Sequence, residues 1–183
     1  MDREEYTALI AAQEEYLQHV TAETRFTANL LRAMHRDWLG SLYGWAGEYR
    51  TVEMSKGGFV WPPAHLVARN MAAFEKGLLA RNTPCRPAPL AEVASGIAEV
   101  HAELLLIHPF REGNGRLARW LADTMALQAG FALPVYRLGG GRGSKVEGGR
   151  YLNAVLRGYY QDYAPLTDFF AEALARGLRA RTG

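Results

Sequence analysis

The chain has 183 residues, 49% apolar and 22% charged, which is enough apolar material for one well-filled core in a single domain. A net charge of +2 argues against a nucleic-acid partner, because Arg176, Arg179 and Arg181 read as a solvated helix end without the basic face and interleaved aromatics such a partner needs. No apolar run is long enough to cross a membrane, Asp2, Glu4 and Glu5 are unlike a signal peptide, and the lone Cys85 excludes an internal disulfide or a Cys-rich metal site, so a soluble, cytoplasmic chain is expected.

Tyr6, Leu9, Ile10, Tyr16, Leu17 and Val20 recur at helical spacing and predict a first amphipathic helix. Thr21 stands where it could cap a second, whose apolar face carries Phe26, Leu30, Leu31, Met34 and Trp38. His35 falls at the edge of that face and is read as a core residue without chemistry. Trp45-Ala46-Gly47-Glu48-Tyr49-Arg50 breaks the period as a loop with two aromatic anchors. Thr51–Met54 and Phe59–Trp61 are short strand-like runs on either side of Ser55-Lys56-Gly57-Gly58, a turn composition, so a β-hairpin ending at Pro62-Pro63 is expected. Its unpaired edge can take an extended segment of another protein as an added strand, or the hairpin can simply cover core. A third helix is expected from about Ala64 to Leu79, and the prolines of 82–87 make a loop.

Leu90, Val93, Ala94, Ile97, His101, Leu104 and Leu105 then predict a helix running into His108-Pro109-Phe110-Arg111-Glu112-Gly113-Asn114-Gly115-Arg116-Leu117-Ala118-Arg119. Pro109 disfavours the α conformation at the residue before it, which puts His108 on the lip of a loop. The helical period resumes with Leu117, Trp120, Leu121, Thr124, Met125 and Gln128 and ends at Gly130. Gly113-Asn114-Gly115 lets backbone approach a ligand and aims the first N–H groups of that helix at it, an arrangement that suits phosphate. Arg116 and Arg119 share one helical face, and their side chains lean toward the N-terminus, so both can reach the same anion. A neutral His108, its pKa lowered by nearby arginines and a helix N-terminus, can take a proton from a hydroxyl. Glu112 offers the hard oxygen that Mg²⁺ prefers. Taken singly, these residues could equally be a surface histidine and a solvated charge cluster.

Phe131–Tyr136 is extended and too short for a sheet, and Gly139-Gly140-Gly141-Arg142-Gly143-Ser144-Lys145 reads as a surface loop, since it lacks the order of a phosphate loop. Tyr151, Leu152, Ala154, Val155 and Leu156 begin another helix, and Pro165 opens the last. The fold class is therefore all-α, a helical bundle with one small hairpin.

The run from His108 to Arg119 matches, at every specified position, the motif H-P-F-x-[D/E]-G-N-G-R-x-x-R, and the chain resembles the Fic (filamentation induced by cAMP) family. Trp45 to Arg50 is similar to the W-A-G-x-x-R segment that precedes the flap of Fic proteins. The resemblance implies one Fic domain over 1–183, with N-terminal helices in 1–44, a flap at about 50–61, a catalytic core in 64–170 and a C-terminal helix to 183. It implies a protein adenylyltransferase that moves AMP from ATP to a Ser, Thr or Tyr hydroxyl of a target protein. His108 would then be the general base and Glu112 the Mg²⁺ ligand. Gly113, Asn114 and Gly115 would form the anion hole, Arg116 and Arg119 would bind the β and γ phosphates, and Lys56, Gly57, Gly58, Phe59 and Val60 would dock the target. A Doc-like kinase, which resembles H-x-F-x-x-A-N-K-R, is the alternative reading, with a transferase of another nucleotide and a non-catalytic nucleotide-binding module as further ones. Many Fic proteins carry an inhibitory helix of pattern [S/T]-x-x-x-E-[G/N]. Here Ser95 to Glu99 is followed by Val100, and Glu172 has Asp168 four residues before it. A separate antitoxin-like inhibitor is therefore expected as a partner.

Overall fold

The computed structural model describes residues 3–138 and 142–182. Within them the chain is helical, with one two-stranded hairpin.

Helix α1 spans Arg3–His19 and α2 spans Ala28–Leu39. The cap of α2 is Thr27, whose hydroxyl accepts from the Leu30 N–H at 3.0 Å, and not the expected Thr21. Thr21 closes a turn of its own, its N–H donating to Thr24 Oγ1 at 2.9 Å. Leu9 and Ala12 bury against the core, while Tyr6, Ile10 and Leu17 stay exposed, so the apolar stripe of α1 is wider than the surface it packs on.

The hairpin pairs β1 (Ser55–Lys56) with β2 (Phe59–Val60), in the register Ser55 to Val60 and Lys56 to Phe59. The turn is narrower than expected. Ser55 and Lys56 belong to the strand, and Gly57 and Gly58 alone make the loop, both with positive φ (58° and 83°), as a two-residue hairpin turn of this hand requires.

After a 3-10 turn at Ala64–Leu66, α3 runs over Val67–Phe74, widens into a π turn at Glu75–Leu79 and ends at Asn82, one turn later than expected. The π turn carries Glu75, whose carboxylate accepts the Ala28 N–H at 2.8 Å and so adds a second cap to α2.

The centre of the bundle is α4 (Leu90–Ile107), with Ala94, Ile97, Ala98, Val100 and Leu104 buried. It packs against α3, α5 (Asn114–Gln128), α6 (Arg142–Gly158) and α7 (Ala164–Thr182). Two expectations change here. Gly139–Gly141 lie outside the described residues, but helix begins at Arg142, well before Tyr151, in a stretch that reads as loop from its glycines. A tertiary tie outweighs that local bias: Glu147 pairs with Arg176 of α7 at 2.8 Å, both largely buried. Arg176 is for the same reason no solvated helix end, since it also donates to the Val135 carbonyl at 2.9 Å. Cys85 is buried, and burial pushes its thiol up. Among the described residues no helix is long and apolar enough to cross a membrane.

Candidate active site

The helix α4 ends where Pro109 requires, with His108 as its cap in the left-handed region (φ 51°, ψ 60°). A non-glycine residue there carries strain of about 1–3 kcal/mol and persists only when its surroundings over-determine it. Arg50 does this. Buried at 2% exposure, it donates from Nε to the His108 carbonyl at 2.7 Å, while its backbone N–H donates to the Pro109 carbonyl at 2.8 Å. Its other nitrogens bond Val52 and Pro62 on the two sides of the hairpin, so one side chain fixes the flap and the motif loop together.

The His108 ring is held as closely as its backbone. Its Nδ1 lies 3.2 Å from the Leu105 carbonyl, which can only accept, so Nδ1 carries the proton and Nε2 keeps its lone pair. Trp61 covers the ring at 4.0 Å between centroids and donates its indole N–H to the same carbonyl. Burial lowers the pKa of His108 to about 4, with the Arg50 charge adding to the shift. The direction is as the sequence implies; the main cause is burial under Trp61, and no motif arginine is among the causes.

The motif loop is stitched from both sides. Asn114 is buried, accepting from the Phe110 N–H at 2.9 Å and donating to the Phe110 carbonyl at 2.8 Å, so its amide locks the loop and any anion would meet backbone there. His35, read from sequence as inert, receives the Gly47 N–H on Nδ1 at 2.8 Å. It must therefore donate from Nε2 to the Glu112 carbonyl at 3.0 Å, and its ring stacks on Phe110 at 3.9 Å. It is a strut between the Trp45–Arg50 loop and the motif.

The two glycines differ. Gly113 has φ 84°, and a Cβ on it would come within 2.8 Å of Trp38, so the fold itself demands glycine. Gly115 has no such constraint, the nearest atom to its Cβ being Arg119 Nη1 at 3.7 Å. The first turn of α5 has no side-chain cap, so the N–H groups of Asn114 and Gly115 are available to an anion.

Arg116 and Arg119 line one cavity of about 500 Å³ with Tyr6, Leu9, Gln13 and Trp120. Their guanidinium groups are held differently. Arg116 pairs with Glu5 of α1 at 2.7 Å and with Glu112 at 3.1 Å, and lies over the Trp38 ring. Arg119 reaches back over Gly115, and its charge acts on the Tyr151 hydroxyl. Glu112 Oε1 accepts the Gly113 N–H and Arg116, and the carboxylate is otherwise exposed. The flap stands apart as surface: Lys56, Gly57, Gly58 and Val60 are exposed, and Phe59 leans on Trp61 and Tyr159.

The Fic/DOC family model matches residues 25–126, more than half of the chain and the whole run from His108 to Arg119. The chain belongs to the Fic/DOC family. It is 34% identical over 137 residues to the "Probable protein adenylyltransferase y4lH" of Sinorhizobium fredii, covering 74% of this chain and 66% of that protein. It is 30% identical to the protein adenylyltransferase Fic of Nematostella vectensis over 80% of this chain and 32% of that protein. With VbhT of Bartonella schoenbuchensis, a protein adenylyltransferase, identity is 31% over 58% and 22%. The chain thus spans between about a fifth and two thirds of the length of these relatives.

Solved Fic structures share the fold. The BepC protein of Bartonella tribocorum, with bound AMPPNP, superposes with a TM-score of 0.72 at 20% identity, over 92% of this chain and 83% of that one. A Fic domain from Bartonella quintana with bound ADP gives 0.69 at 21% identity, over 93% and 85%.

The Fic motif is local in sequence and could be read there. The residues that hold it, Glu5, His35, Arg50, Trp61 and Tyr151, lie far along the chain from the residues of the motif and its approach that they meet and carry no local signal, although the W-A-G-x-x-R likeness did end on Arg50.

Proposed function

We propose that this Fic domain is a protein adenylyltransferase. The observation that carries the reading is the fixed tautomer of His108, which leaves an unprotonated Nε2 on the same loop as the uncapped N-terminus of α5. The target oxygen would attack the α phosphorus as its proton passes to Nε2. The bond to the β-phosphate oxygen would break, giving an AMP ester and pyrophosphate. The N–H groups of Asn114 and Gly115 would meet the charge on the transferred phosphate, and Arg116 and Arg119 the β and γ phosphates. A divalent cation such as Mg²⁺ neutralises phosphate charge when bound. Glu112, whose carboxylate is exposed, would hold it.

The flap is read as the target site. Lys56 with Phe59, and Met54 with Trp61, face inward, so Ser55 and Val60 turn their backbone groups outward, where a target strand can add. Control is read as external. Beside the cavity at Arg119, a second one lined by Tyr16, Leu17 and Val20 of the same end of the chain shares Trp120 with it. The exposed Tyr6 and Leu17 suit a small antitoxin-like protein whose acidic residue meets Arg119. Expressed alone, the chain should then arrest growth.

Incubation with a cell lysate, Mg²⁺ and ATP labelled in the α or the γ phosphate tests the reading. Label on protein from α alone supports it, and label from γ alone makes the protein a kinase.

A further inference from the structure

Behind Arg119 lies a set of side chains that the Fic motif does not include. His101 of α4 is fully enclosed, at 1% exposure. Its Nδ1 sits 3.1 Å from the Ala118 carbonyl and its Nε2 2.8 Å from the Tyr151 hydroxyl. A carbonyl only accepts, so Nδ1 carries the proton. Burial keeps the ring neutral, its pKa lowered to about 3, so Nε2 is an acceptor. The Tyr151 hydroxyl must therefore donate to Nε2, and its oxygen is left to accept from the Arg119 guanidinium. Each bond has one allowed direction. The series runs from Tyr151 to His101 to the carbonyl of Ala118, the residue before Arg119, and the Arg119 charge stands beside the Tyr151 oxygen.

We propose that Tyr151 is the positioning residue for Arg119, its oxygen holding the guanidinium over Gly115. The inference rests on the reading of Arg119 as a phosphate ligand. A free arginine side chain samples many rotamers, and ordering it on binding a phosphate lowers affinity, whereas a partner tied to the same helix removes that freedom beforehand. The surroundings are built for it. Tyr151 packs on Phe169 at 5.0 Å and His101 on Phe170 at 5.1 Å, so neither ring can turn away without opening the α4–α7 core. On the other side of Arg119, Asp123 is occupied by the Tyr136 hydroxyl at 2.7 Å. Burial raises the Asp123 carboxyl to about 7 and so weakens it as a competitor for the guanidinium.

The test compares the affinities of ATP, ADP and AMP by calorimetry in the parent, Tyr151→Phe and His101→Asn. Asparagine can still donate to the Ala118 carbonyl and offers the tyrosine no acceptor, so it releases the hydroxyl with less disturbance should Tyr151→Phe not fold. The expected result is that the preference for ATP over ADP falls about tenfold in Tyr151→Phe, and less in His101→Asn, with AMP affinity unchanged. Loss of folded protein would weaken all three nucleotides alike and leave the ratio where it was. In an Arg119→Ala background, Tyr151→Phe should have no further effect on the ratio. A parent that binds ATP and ADP equally overturns the reading of Arg119 and this proposal with it. A parent that discriminates, beside a folded variant that discriminates as well, overturns the positioning role alone.

Discussion

The carboxylate of Glu5 lies 2.7 Å from the guanidinium of Arg116, across 111 residues of sequence, and accepts a second bond from the Tyr43 hydroxyl at 2.9 Å. Its backbone carbonyl takes the Trp38 indole N–H at 2.9 Å, so one residue of α1 joins α2 and the Fic motif. The Arg116 hydrogen bond holds the Glu5 carboxyl below its ordinary range. A depressed carboxylate contributes stability that is present above its ordinary pKa and lost as pH falls through the folded value. We predict that Glu5→Gln lowers stability by about 1–2 kcal/mol at pH 7, less than a fully buried pair because both groups keep some solvent. Urea unfolding checks this, and the difference from the parent should shrink below pH 4.

On the proposed mechanism the covered imidazole should set the acid limb of the reaction. With His108 at about 4, kcat/KM should stay flat down to about pH 5, where an exposed histidine would already have lost half its activity near 6.5. Trp61→Ala uncovers the ring and should move the limb up toward 6.5. Stability moves in the same sense. His35, His101 and His108 are all held below their ordinary range by burial, so the stability they give is full above 6.5 and is lost progressively as pH falls from 6.5 through about 4 to 3. Acid unfolding monitored by circular dichroism tests that window.

What could be read from sequence was what is local: the helix that stops at His108, the glycine turn, the hairpin. Where a tertiary partner decides, local reasoning failed. Thr21 has every feature of a cap, and loses to Thr27 because its hydroxyl is engaged in its own turn. The stretch 139–145 reads as loop from its glycines, and from Arg142 onward the chain is helical, with Glu147 tied to Arg176. His35 looks like any core histidine until its two nitrogens are seen to join two loops.

The two motif glycines should separate fold from chemistry. Gly113→Ala combines a positive φ with a 2.8 Å approach to Trp38 and should destabilise by about 2–4 kcal/mol. Gly115→Ala meets nothing nearer than 3.7 Å and should melt within a degree or two of the parent, while its methyl group crowds an incoming phosphate and activity falls at least tenfold. Thermal melts alongside transfer assays distinguish the two.

Val60 is 67% exposed and its N–H points out of the hairpin, so Val60→Pro removes an outward donor without breaking an internal pair. Target modification should drop while ATP affinity is unchanged. Parallel loss of both would mean that the flap had only been disordered.

The central claim is that Nε2 of His108 takes the proton of the target hydroxyl. His108→Asn tests it most directly, since asparagine tolerates the left-handed backbone that His108 adopts and lacks the base. Transfer of label from α-labelled ATP to protein should fall by about 10²–10⁴, with ATP affinity and melting temperature near those of the parent. Transfer at the parent's rate by a variant that binds ATP equally well would contradict the account.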